Sequence, residues 1–135
     1  IMGLDQYAMK LVRGDNRDKG GNLTDVDFWP TVASDTKWPS FESACFHQWR
    51  KHADLNGWMQ KLYHKKGGTA TDYVYVRLDS DDIDLLEREV NALPTATGFF
   101  WGNSCYEHEL HTLDFIDSAR RTMAQGNDIY YTANW

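Results

Sequence analysis

Between Phe41 and Leu62 the residues Phe41, Cys45, Trp49, His52, Leu55, Met59 and Leu62 return every three or four positions. That spacing is one face of an α-helix. Arg50, Asp54, Gly57 and Lys61 recur at the same step on another face, which reads as solvated. Arg50 and Asp54 are four apart and are expected to pair weakly. Ser40, after Pro39, can cap the start through its hydroxyl. Lys65 and Lys66 suit the negative end of the dipole, and Gly67-Gly68 stops the helix. Asn56-Gly57 lies inside it. Glycine there costs about 1 kcal/mol relative to alanine, so a kink or a break is expected near it. A helix this long needs a sheet or further helices to cover its stripe, and the rest of the chain must supply them.

Three stretches read as strands, and the short aromatic run Gly98–Gly102 reads as either a further strand or a tight loop. Met2 to Val12 mixes Leu4, Tyr7, Met9, Leu11 and Val12 with polar residues and has no cap before it, so it reads as an opening strand. Tyr73 to Leu78 alternates with period two and is rich in β-formers, with Val74, Val76 and Leu78 inward. Ile129 to Ala133 reads as a final strand. Asp79 or Ser80 caps a second helix with an acidic first turn and the stripe Ile83, Leu86, Val90, Leu93, closed by Pro94. Ser104-Cys105-Tyr106-Glu107 has the capping-box pattern. The helix behind it is expected to turn Leu110, Leu113, Ile116, Ala119 and Met123 inward, to pair Asp117 with Arg121, and to end at Gly126. Residues 13–22 read as a solvated loop, and 23–38 as an irregular cover over the core. The expectation is an α+β domain spanning 1–135. A small mixed or antiparallel sheet, with N-terminal, central and C-terminal strands, is covered by about three helices.

Composition narrows the function classes. The formal charge of −6 argues against a general nucleic-acid binder. It is unevenly spread: residues 46–66 are basic and 79–93 acidic, which reads as two solvated faces that would attract each other or, more sharply, as a basic patch for an anionic partner. Two cysteines make no disulfide framework. No stretch is apolar for long enough to span a membrane, and no signal peptide pattern opens the chain. Met2 is the expected natural start, and the cytoplasm the expected compartment.

Several groupings invite chemistry. Cys105, His108 and His111 have the look of metal ligands, but the pattern is not His-Glu-x-x-His and no second cysteine pair accompanies it. No metal and no cofactor is expected. Cys45 with His47 or His52 suggests a thiol nucleophile, yet Cys45 and His52 sit in the apolar stripe, where a small hydrophobe and a hydrogen-bonded core histidine are the plainer readings. Asp5 is a candidate carboxylate, with capping or pairing beside the first strand as its plain role. The better candidates are Arg50 and Lys51, which can hold an anion, with the turn Gly98, Phe99, Phe100, Trp101 and Gly102, whose aromatic faces can stack a ligand. The plainer reading makes Trp49 core, the two cations solvated and the glycines turn-formers.

Trp49-Arg50-Lys51, Leu55, Gly57-Trp58-Met59 and Leu62-Tyr63 resemble a pattern in a family of short tailed-phage and bacterial proteins without an established activity. The likeness extends to Met2-Gly3-Leu4-Asp5-x-Tyr7, Leu93-Pro94 with Gly98-Phe99-Phe100-Trp101-Gly102, and Tyr130-Tyr131 with Trp135. It is poor between about residues 13 and 40. Some members carry a kinase label, which this chain does not support, having no Gly-rich phosphate loop. The resemblance implies an accessory protein of the infected cell. The expected function is a non-enzymatic interaction module for an unknown host or viral protein. The alternative is a small-molecule or nucleotide-binding domain using Arg50, Lys51 and the Gly98–Gly102 turn.

Overall fold

The structure, a computed structural model, describes residues 3–12, 25–26, 44–71, 73–98 and 100–135. Among the described residues four strands form one antiparallel sheet: β1 (Asp5–Val12), β2 (Cys45–Arg50), β3 (Tyr73–Leu78) and β4 (Asn127–Asn134). Their spatial order is β2-β1-β4-β3. The strands nearest the two ends of the sequence are therefore the interior pair, with Asp5 opposite Asn134 and Val12 opposite Asn127. Among the described residues three helices lie between the strands in sequence: α1 (Ala53–Lys65), α2 (Ser80–Glu89) and α3 (Tyr106–Ala124), with a 3-10 turn at Val90–Ala92. This is the expected small α+β architecture, and its sheet is wholly antiparallel.

Period two decides which side chains meet the helices. From the sheet come Leu4, Ala8, Val76, Leu78, Ile129 and Tyr131, packed against Leu55, Met59, Ile83, Leu86, Phe115 and Ile116 of the helices. Val74, Val76 and Leu78 are inward, as their alternation predicts. Met9, Leu11, Tyr75 and Tyr130 bury on the opposite face with Ala44. Asp25 and Val26 lie along the outer edge of β3. Val26 bridges Val76, the Arg77 N–H donates to the Asp25 carbonyl at 2.7 Å, and the two side chains form an ion pair. The loop expected at 13–22, the rest of the cover expected at 23–38 and the cap expected at Ser40 lie outside the described residues.

The largest correction falls on the segment with the strongest helical spacing. Cys45 to Arg50 is a strand on β1, and the helix begins only at Ala53. The register shifts between Ala8 and Met9, a bulge at Phe46, so Trp49 packs on the helix-covered face while Cys45 lies with Met9 on the other, and the helical step that joined them does not survive as a shared face. The open edge of β1 and the β-favouring aromatics decide for the strand. The Arg50–Asp54 pair therefore does not form. Arg50 binds Asp5 at 2.6 Å, and Asp54 accepts the Ala96 N–H at 3.0 Å.

α1 runs through Asn56-Gly57 without the expected break. A Cβ on Gly57 would strike Ala96, so the glycine lets the 3-10 exit segment lie close. Asn56 is buried and accepts the Tyr131 hydroxyl at 2.8 Å. Contact across the core thus outweighs the glycine's low propensity. The basic and acidic stretches do meet, at Lys66 and Asp82, 2.6 Å apart. α2 opens with a true capping box, Asp79 with Asp82.

α3 differs from its expected phase. Thr112, Phe115, Ile116, Ala119 and Thr122 face the core, while Leu110 and Leu113 face out. The two threonines hid the stripe. Thr112 Oγ1 donates to the His108 carbonyl and accepts the Trp49 indole N–H, so a polar side chain is satisfied inside the core. The N-cap is Cys105, with His108 as its partner, rather than Ser104 with Glu107. Asp117 and Arg121 pair at 3.5 Å, and Gly126 ends the helix with φ +93°.

Candidate functional site

The switch from β2 into α1 takes place at Lys51 and His52, and it organises the functional candidates. Lys51 has φ +59°, a left-handed conformation rare outside glycine. It turns the chain within one residue. Its N–H donates to the Leu4 carbonyl at 2.8 Å. Gln6, fully buried on β1, clamps the next residue: its side-chain amide takes the His52 N–H at 2.9 Å and donates to the His52 carbonyl at 3.0 Å. The same Nε2 donates to the Tyr131 hydroxyl at 2.9 Å. A buried polar group is tolerable because each bond is made.

His52 is the N-cap of α1 and offers no side-chain cap of its own. Ser104 caps the helix from fifty residues away, its hydroxyl accepting the Asp54 N–H at 3.0 Å. Ser104 Oγ also lies 2.6 Å from His52 Nδ1. The hydroxyl has a second lone pair and a proton, so the tautomer of the ring sets which of the two donates. Burial, with the His108 ring alongside, pushes His52 down to about 3. The Ser–His pair therefore lacks a basic imidazole, and its geometry serves the cap.

The His108 ring stacks on His52, centroids 4.8 Å apart. His108 Nδ1 accepts the Cys105 N–H at 3.0 Å, and Nε2 donates to the Arg50 carbonyl at 2.7 Å. Its one lone pair is thus engaged by backbone. The exposed Cys105 Sγ is 3.5 Å from that nitrogen. His47, in contact with Trp49 and Phe115, is lowered by burial and by His111. Among the described residues no three His, Cys, Asp or Glu side chains converge as a metal ion requires.

Asp5, Arg50, Lys51, Phe100 and Gly102 come together, as a junction. The Leu4 N–H donates to the Phe100 carbonyl at 3.0 Å. Gly102, at φ +74°, lies under the Lys51 side chain, where a Cβ would sit 3.0 Å from it. Trp101 is only 5% exposed and packs edge-on against Trp135, so its face is not offered to a ligand. Gly98 lies against that indole. Phe100 is 42% exposed; Phe99 lies outside the described residues. A cleft of about 380 Å³ opens beside Arg50 and includes Asp5, Tyr7, His108 and His111. Its cation is already matched by the Asp5 carboxylate.

A second surface was not legible as a site. Tyr106, Leu110 and Leu113 are 69%, 44% and 39% exposed. They stand at i, i+4 and i+7 on α3, so they are neighbours in one row. Glu107, Glu109, Asp114 and Asp117 flank it, and residues 106–117 contain no Lys or Arg. A cleft of about 370 Å³ lies at the N-terminal end of the row, between α3 and the 3-10 turn, with Asp54, Asn91, Ser104, Tyr106 and Glu109 in its lining. The sequence carried the signal as a doubled pattern, two rows of helical spacing on one helix. Reading the leucines as core concealed it. Gln6 gave no signal and Ser104 read as a cap for its own helix, because each acts on residues far away in the chain. No protein-family model, no curated protein and no solved structure matches this chain.

Proposed function

We propose that this protein is a non-enzymatic interaction module, a phage-type accessory factor that acts in the cytoplasm of an infected cell by binding a host or viral protein. The observation that carries the reading is the row Tyr106, Leu110, Leu113. Its helix already buries the opposite face, through Phe115, Ile116 and Ala119, so these three residues are not required by the fold. Single exposed apolar residues are ordinary; an adjacent row on a rigid helix is what binding surfaces use. The resemblance to short phage proteins supplies the setting.

The alternative, a nucleotide or small-molecule site on Arg50, Lys51 and the Gly98–Gly102 turn, is less well supported. Asp5 already pairs with Arg50 Nη1, and Trp101 is packed inward. The serine, cysteine and histidines near it hold helix ends and strand carbonyls.

The test compares wild type with the double variant Leu110→Ser, Leu113→Ser in affinity capture from cells. A partner retained by wild type and lost by the variant, with an unchanged melting temperature, is the expected outcome. Exposed positions change stability by only about 0.5 kcal/mol. Equal capture by both proteins would remove this surface from the function.

A further inference from the structure

We infer that the α3 surface takes a Lys- or Arg-bearing amphipathic helix of the partner, its cationic side chain in the cleft beside Glu109 and its apolar residues along Leu110 and Leu113. The inference rests on the interaction reading above and names the chemistry of what is bound.

Row and cleft are continuous, because Tyr106 belongs to both and Glu109, which flanks the row, lines the cleft. From Tyr106 to Leu113 the row is about 10 Å long at 1.5 Å per residue. A row at i, i+4 and i+7 is a ridge of the kind that fits the grooves of a second helix. The cleft at its end has room for one long side chain. Its lining contains the carboxylates of Asp54 and Glu109, the Asn91 amide and no Lys or Arg.

Those charges are open. Among the described residues Glu107, Glu109 and Asp114 have no ion-pair partner, and Asp117 has only the long contact to Arg121. Asp54 Oδ1 accepts a single backbone N–H. The helix dipole by itself accounts for Glu107 and Glu109, in the first turn. It does not account for Asp114 and Asp117, which lie beyond it and continue the same rim. A cationic partner satisfies all four, and an apolar face covers the row between them. Arginine is among the residues that carry most binding energy at such anchors. Opposed charge at the rim also speeds encounter and makes it sensitive to salt.

Calorimetry on the full chain tests this with synthetic helical peptides. One carries leucine at i, i+4 and i+7 with arginines beside them. A second replaces each arginine by glutamate, and a third each leucine by serine. The first should bind at least about tenfold more tightly than either control, the ratio that 1.4 kcal/mol gives. Glu109→Gln should weaken it severalfold, and added salt should weaken it further. Equal affinity for the arginine and glutamate peptides overturns the cationic partner, as does an unchanged affinity in Glu109→Gln. Equal affinity for the serine peptide removes the row from the contact. A concentration-dependent dimer abolished by Leu110→Ser, Leu113→Ser would give the surface to a second copy and overturn the inference. If that double variant loses its captured partner while the peptides show no charge preference, the interaction reading survives and only the partner chemistry falls. If the captured partner is retained, the interaction reading itself fails.

Discussion

His52 is where burial, capping and acid sensitivity meet. Its ring is held neutral, with a value about 3, while an unfolded chain would protonate it near 6.5. Below about 6.5 the unfolded state binds the proton and the native state does not, so stability falls as pH falls. The contribution is fully present above 6.5 and is lost progressively toward 3. It amounts to something on the order of 4–5 kcal/mol over the whole window, at 1.36 kcal/mol per unit. His47, lowered by burial and His111, adds to the slope in the same direction. Urea unfolding between pH 6.5 and 4.5 should show wild type losing stability steadily. His52→Gln should be less stable at pH 7 but flatter across the window, and an equal slope in both would show that His52 is not the group responsible. Trp49 belongs to the same scale. It is buried against Phe115 at 4.9 Å and its indole N–H donates to Thr112 at 3.2 Å. Trp49→Ala should cost about 3–5 kcal/mol, the usual loss for emptying a buried aromatic site. A loss below about 1 kcal/mol in urea unfolding would contradict that packing.

Among the elements, β4 carries the most structural consequence. It pairs with β1 along all eight of its residues and with β3 along six. Tyr131 reaches Asn56 and accepts from Gln6, while Tyr130 buries on the far face. Each large aromatic buries on the order of 150–250 Å², or roughly 4 kcal/mol at 25 cal/mol per Å² before entropy. A chain ending at Gly126 loses the strand that joins β1 to β3. It should be molten, with exposed apolar surface and no near-ultraviolet circular dichroism. An unchanged melting transition would show that the sheet closes without β4. α3 behaves differently. Its inner face is core and its outer face is free, so substitutions at Leu110 and Leu113 should spare stability and read out on binding alone.

For the molecule as a whole, the sequence was most informative where a local rule had no competitor. The alternation Tyr73–Leu78, the Asp79 cap, the stop at Gly126 and the aromatic final strand follow from pleat, capping and turn chemistry over a few residues. They suffice for a small α+β sheet with helices over one face. Tertiary structure decided the rest. Residues 45–50 carry helical spacing, and pairing along the edge of β1, with a bulge, makes them a strand instead. α1 keeps its course through Asn56-Gly57 because Ala96 and Tyr131 pack there. Gln6 and Ser104 act on His52 and Asp54 across about fifty residues, which no local pattern encodes. The candidate surface on α3 was hidden for the same reason. A helix with two apolar rows has two possible inward faces, and the hydrogen bonds of Thr112 to Trp49 and His108 chose between them. Short-range energies are written in neighbouring residues; the choice between two compatible patterns depends on which partner the fold brings near.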